Sequence, residues 1–165
     1  MKCIHNFFDN CENDCKLFSL VKTMNEHKQE LKEFVTLMNQ DKLKTKVVEE
    51  VKRPGGNYYR HIMFRNEQYE IIIIVWDPKS SSPIHDHPEF GCCMFLCEGG
   101  VKEVKYVVDD NDHVKEVSYK TLRGGDDTTY IDNSIGFHCI ENHGVIPAIS
   151  VHVYSPPLHV AKTLA

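Results

Sequence analysis

The sequence predicts a mainly β chain, a barrel or sandwich of short strands with short N-terminal helices packed on its outside. Three observations carry this. From Tyr58 onward, apolar and alternating runs of strand length follow one another with no helical period between them. Their separators are turn-formers, among them Asp77-Pro78, Gly99-Gly100, Asp109-Asp110-Asn111-Asp112, Gly124-Gly125 and Asn133-Ser134. Helical periodicity is confined to the chain before Arg53-Pro54-Gly55-Gly56.

In order, residues Asn13 to Arg53 read as two or three short amphipathic helices. Leu17, Leu20, Val21 and Met24 form one stripe, and Leu31, Phe34, Val35 and Met38 a second. Asn39-Gln40-Asp41 breaks the pattern before Leu43, Val47, Val48 and Val51. Strands are expected at Tyr58 to Phe64, Tyr69 to Trp76, Ile84 to His87, Cys92 to Glu98, Val101 to Val108, Val114 to Leu122, Thr128 to Ile131, Phe137 to Asn142 and Ala148 to Tyr154. No internal repeat or low-complexity tract is visible.

With 165 residues and 41% hydrophobic content, residues 1–165 form a single domain, helical over about 1–53 and β over about 57–157. The net charge of -5 and interspersed Lys and Arg argue against nucleic acid as a partner. The N-terminal stretch is too polar for a signal peptide or a membrane span, so no membrane partner is expected. Seven cysteines without a repeated Cys-x-x-Cys point to mostly free thiols in a reducing, cytoplasmic setting. A monomer is compatible with this size.

The chemistry centres on Ser82-Pro83-Ile84-His85-Asp86-His87-Pro88-Glu89-Phe90-Gly91-Cys92-Cys93. Strand alternation sends His85 and His87 to one side, and His138, after Gly136-Phe137, is the best third metal ligand. Three neutral imidazoles leave an open face on an ion, as a catalytic site requires. Such a site should weaken as pH falls through the histidine range. Ten histidines make one His-x-His spacing by itself weak evidence.

The segment Ser82 to Cys92 does not stand alone. Together with Tyr58-Tyr59-Arg60, Ile131-Asp132-Asn133-Ser134-Ile135-Gly136-Phe137-His138, Glu141-Asn142 and Ser150-Val151-His152-Val153-Tyr154-Ser155-Pro156-Pro157, it resembles cysteine dioxygenase. The resemblance, in register from about Tyr58 to Pro157, implies a cupin, a jelly-roll-like β-barrel that uses mononuclear non-haem iron(II), one per chain. It implies His85, His87 and His138 as iron ligands, and Arg60 as the grip on a substrate carboxylate, with Tyr58 beside it. Cys92 and Tyr154 match a pair that forms a thioether cross-link next to the iron, His152 matches the support of the tyrosine hydroxyl, and Ser155-Pro156 matches a cis bond. The implied reaction is oxidation of L-cysteine by dioxygen to the sulfinic acid, so the implied partners are a small thiol and O2.

Physical chemistry is consistent with those roles. A guanidinium offers a planar fork to a carboxylate. Tyr154 is one alternation step from His152, so both share a face. Only one of Cys92 and Cys93 can face the interior; register selects Cys92, while Cys97 and Cys139 read as small buried hydrophobes. A further metal or redox site from Cys3, His5, Cys11 and Cys15 has weak support.

Some positions depart from the resemblance. The sequence ends eight residues after Pro157, which puts the outer pocket wall in doubt. Cys139 replaces a basic residue, Gly91 stands where a bulkier polar residue is usual, and Pro83 and Pro88 bracket the metal pair. Alternatives are a dioxygenase for another thiol carboxylate such as 3-mercaptopropionate, which Cys92 and Arg60 disfavour, and a non-catalytic metal-binding cupin sensor. A zinc hydrolase is a third, but Asp86 should point away from the metal and Glu89 lies in a turn, leaving no obvious base.

Overall fold

The computed structural model describes residues 15–37, 49–125 and 127–164. A helix α1 (Cys15–Leu37) precedes eleven strands: β1 (Glu49–Val51), β2 (Tyr58–Arg65), β3 (Glu70–Trp76), β4 (Ile84–His85), β5 (Cys92–Glu98), β6 (Gly100–Val108), β7 (Val114–Arg123), β8 (Thr128–Ile131), β9 (Phe137–Glu141), β10 (Ala148–Tyr154) and β11 (Thr163–Leu164). They form two antiparallel sheets, ordered β1-β2-β3-β10-β5-β8 and β11-β4-β9-β6-β7, rather than one closed barrel.

The expected strands are present to within a residue or two, because turn chemistry and alternation are local signals. Two expectations need correction. Where short helices were expected, α1 runs unbroken for 23 residues. Met24, Leu31 and Val35, at i, i+7 and i+11, fall on a single buried stripe, and Asn25 to Glu30 contain no breaker. Val51 belongs to strand β1, not to a helix, because it is hydrogen-bonded into the ladder opposite Tyr58. The Asn39-Gln40-Asp41 break, Met38, Leu43, Val47, Val48, Cys3, His5 and Cys11 lie outside the described residues, as do the side chains of Cys15, Leu17, Leu20 and Val21.

The larger sheet separates two cores. Ile71, Ile73 and Val75 of β3, Cys93 and Phe95 of β5, and Ile149, Val151 and Val153 of β10 face α1. The alternate residues Ile72, Ile74 and Trp76, with Cys92, Met94 and Leu96, face the space between the sheets. Burying each such side chain stabilises the fold by about 1.5–3 kcal/mol. β3 and β5 are buried on both faces, so they read as continuous apolar runs. On β10, by contrast, the inner face carries Ser150, His152 and Tyr154.

Gly91, at the entry to β5, has φ +88, and a Cβ there would lie 2.5 Å from the Ile131 carbonyl oxygen and 2.6 Å from the Tyr130 hydroxyl. That contact explains why a bulkier residue is absent here. Gly91→Ala is expected to lower stability by about 1–3 kcal/mol, read as a drop in the urea midpoint; an unchanged midpoint would show that the loop relaxes freely.

Candidate metal centre

β4 and β9 pair with His85 directly opposite His138, which brings the two rings to a centroid separation of 4.7 Å. His87 lies just past β4. Its backbone is pinned by Asn133, whose Oδ1 accepts from His87 N and whose Nδ2 donates to His87 O, both at 2.9 Å. The His87 ring then stands 4.4 Å from that of His138. One ligand nitrogen from each histidine lies within 4.8 Å of the others.

Hydrogen bonding decides which nitrogens face inward. His85 Nδ1 is 2.8 Å from the Pro83 carbonyl, which can only accept, so Nδ1 carries the proton and Nε2 is a free lone pair. His138 Nδ1 is 2.9 Å from Glu103 Oε2, which can only accept, so a neutral His138 presents Nε2 as a lone pair. These two Nε2 atoms face each other at 3.1 Å. Among the described residues, neither nitrogen of buried His87 has a hydrogen-bond partner. Facing lone pairs and an orphaned buried imidazole are what a cation between the rings would satisfy, so the donor set fits a metal.

Burial, reinforced by the neighbouring His138, lowers His85 to about 3 and His87 to about 2. These two imidazoles are therefore already neutral across the ordinary histidine range, and protons compete for them only at lower pH than the sequence suggested. Glu103 is fully buried; burial opposes its ionisation, but the His138 hydrogen bond, Lys105 and Thr129 together hold it below the usual carboxylate range.

His85 and His138 line a cavity of about 460 Å³ together with Tyr58, Arg60, His152 and Tyr154. Arg60 projects from β2. Tyr58 packs on Trp76 with ring centroids 4.7 Å apart, and burial raises its pKa. Cys92 is paired with Tyr154 across β5 and β10, and Cys93 turns toward α1 as expected. His152 Nδ1 is 3.3 Å from the Tyr154 hydroxyl and 3.8 Å from Cys92 Sγ. Burial pushes both the Cys92 thiol and the Tyr154 hydroxyl well up, so each keeps its proton near neutral pH. Trp76 Nε1 donates to Ser150 Oγ at 2.8 Å, and Ser150 lies 2.7 Å from His152 Nε2. Because the indole only donates, the serine hydrogen is free for Nε2. With the serine hydrogen on Nε2, the His152 proton sits on Nδ1, which meets both the Tyr154 hydroxyl and Cys92 Sγ.

The outer wall comes from the segment after Pro157, through His159, Val160, Ala161 and Thr163. β11 pairs with β4, placing Thr163 opposite His85. Asp86, between the two ligands in sequence, points away from them: its Oδ1 accepts from Lys162 N at 2.7 Å and meets His159 Nε2 at 2.9 Å. Ser155-Pro156 is cis, as the resemblance implied.

Sequence reasoning missed Glu103, Ser150 and Glu49. An acidic residue two positions from buried Val101 on one strand was a readable signal for Glu103. Glu49 carried none, because the chain there read as helix.

The sequence matches the family model for cysteine dioxygenase type I over residues 2–164. The chain belongs to the cysteine dioxygenase type I family. Cysteine dioxygenase type 1 of Rattus norvegicus is 38% identical over 96 residues, 56% of this chain and 47% of the relative. The Homo sapiens protein is 36% identical over the same shares, and that of Danio rerio 31% over 59% of this chain and 50% of its own. The chain thus spans about half the length of the cysteine dioxygenases it matches. A structure of oxalate decarboxylase from Bacillus subtilis superposes with a TM-score of 0.53 over 74% of this chain and 31% of its own, at 16% identity. That likeness concerns the fold alone, and it agrees with the two sheets in identifying a cupin jelly-roll. Among the described residues, no helix is long and apolar enough to cross a membrane.

Proposed function

We propose that this cysteine dioxygenase family member is a non-haem iron(II) enzyme that oxidises L-cysteine to cysteine sulfinic acid. The reaction is balanced as RSH plus O2 giving RSO2H, with both oxygen atoms retained. The observation that carries the proposal is a cluster of three converging imidazoles, two of which, His85 and His138, line one cavity with Arg60 and with a tyrosine that meets a histidine.

His85, His87 and His138 would hold the iron, with Glu103 keeping His138 in the tautomer that presents Nε2. When bound, iron(II) would supply open coordination positions and the redox chemistry that adds dioxygen to a thiolate sulfur. Arg60 would grip the substrate carboxylate, and Tyr58 would pack beside it. Tyr154, oriented by His152 and through it by Ser150 and Trp76, would offer its hydroxyl hydrogen to the reacting groups. The Cys92–Tyr154 pairing supports a thioether between them; forming it removes one hydrogen from each, with two electrons and two protons passing to dioxygen. A small thiol and O2 are the proposed partners, and a cytoplasmic location follows only from cysteine usage.

The test is oxygen uptake by anaerobically iron(II)-loaded protein on adding L-cysteine, with the product identified by mass spectrometry. Uptake of one O2 per product bearing two added oxygen atoms, abolished by His138→Ala, is expected. Iron bound without uptake on either L-cysteine or 3-mercaptopropionate would leave a metal-binding cupin and end the enzymatic proposal.

A further inference from the structure

Among the described residues, Arg60 meets one carboxylate, and it belongs to the chain itself. β1 lies antiparallel to β2 with Glu49 directly opposite Arg60 and Val51 opposite Tyr58. Alternation puts all four side chains on the face that lines the cavity. Arg60 Nη1 donates to Glu49 Oε2 at 2.7 Å. Among the described residues lining the cavity, Arg60 is the only arginine or lysine, whereas Glu49, Glu70 and Asp86 are all acidic. Glu70 is held by Arg65 and Asp86 by the segment after Pro157, so neither competes for Arg60.

We propose that Glu49 is a specificity-determining residue, an internal carboxylate that occupies Arg60 until the carboxylate of the substrate displaces it. The inference rests on Arg60 being the substrate anchor. A guanidinium carries one charge. Glu49 uses one of the five guanidinium donors and neutralises much of its charge, so a second carboxylate at the same arginine meets a weaker attraction and the repulsion of Glu49. The Glu49 side chain is 53% exposed against 34% for Arg60, so the glutamate is the partner that can swing into water. An exposed pair of this kind is weak enough to yield to a substrate also held through sulfur, yet it raises the concentration that any carboxylate-bearing thiol needs. A thiol without a carboxylate escapes this competition.

The test is anaerobic calorimetric titration of the iron(II)-loaded protein, where no turnover occurs, with L-cysteine, 3-mercaptopropionate and 2-aminoethanethiol. Steady-state KM and kcat are measured alongside. Glu49→Gln is expected to tighten the two carboxylate thiols up to about fivefold and to lower their KM, while 2-aminoethanethiol binds as before. Glu49→Ala should act in the same direction. Unchanged or weaker carboxylate binding in both variants would overturn the proposal, since Glu49 would then be inert or a support for Arg60. Arg60→Gln separates the two levels: weaker cysteine binding there without tightening in Glu49→Gln defeats the Glu49 proposal alone. Unweakened cysteine binding in Arg60→Gln defeats the anchor role and the proposal with it.

Discussion

Replacing His87 with alanine is expected to abolish metal retention and, with it, the stabilisation that metal confers. His87 is 1% exposed and neither ring nitrogen has a hydrogen-bond partner among the described residues, so in the metal-free fold the imidazole is desolvated without compensation from them. A cation shared with His85 and His138 converts that cost into a bond. Binding to the folded state alone stabilises it by about 2.7 kcal/mol when free metal is a hundred times the Kd, several degrees in Tm for a chain of this size. The wild-type melting temperature should therefore rise on adding iron(II) anaerobically, and that of His87→Ala should not. Metal affinity should fall more than the roughly 10–100-fold typical of losing an outer-shell partner. A variant that still melts higher with metal would show that His87 is an ordinary core histidine.

The second large effect is expected at Glu103. Its carboxylate is fully buried between His138 Nδ1 at 2.9 Å and the Thr129 hydroxyl at 2.8 Å, with Lys105 Nζ 3.8 Å away. Glu103→Gln preserves volume and an acceptor oxygen but removes the charge that makes His138 Nε2 a better donor to a cation. A loss of about 10–100-fold in metal affinity is expected, measured by competition with a chelator of known strength. The far-ultraviolet circular dichroism should stay that of the wild type. Unaltered metal affinity would reduce Glu103 to a packing partner of the five-stranded sheet.

Both expectations depend on groups of different legibility. The histidines were legible as candidates, because alternation sends His85 and His87 to one side and His138 follows Gly136-Phe137, but the spacing alone was weak evidence until the other motifs agreed with it. The polar face of β10 was half legible: alternation placed His152 with Tyr154, but Ser150 acquires its role only because Trp76 of the neighbouring strand reaches it. Glu103 was visible as an acid in a buried alternation, yet its partner lies on β9, which the sequence of β6 does not announce. The eight residues after Pro157 left the outer pocket wall in doubt, and the structure shows that this segment lines the cavity. It does so by adding a two-residue strand to the edge carrying His85 and by tying its backbone to Asp86.

Local chemistry in the sequence was sufficient for the strand map and the two-sided burial of β3 and β5, because side-chain alternation and turn preference act over a few residues, whereas the metal reading of the three imidazoles also needed the agreement of separate motifs with the cysteine dioxygenase pattern. Tertiary structure alone decided that 49–51 is a strand and not a helix, that Glu49 lies against Arg60, that Glu103 orients His138, and that the segment 158–164 closes the cavity. Each of those outcomes is a pairing between elements distant in the chain. Short polar stretches take their conformation from the ladder they join, so their own composition could not announce it.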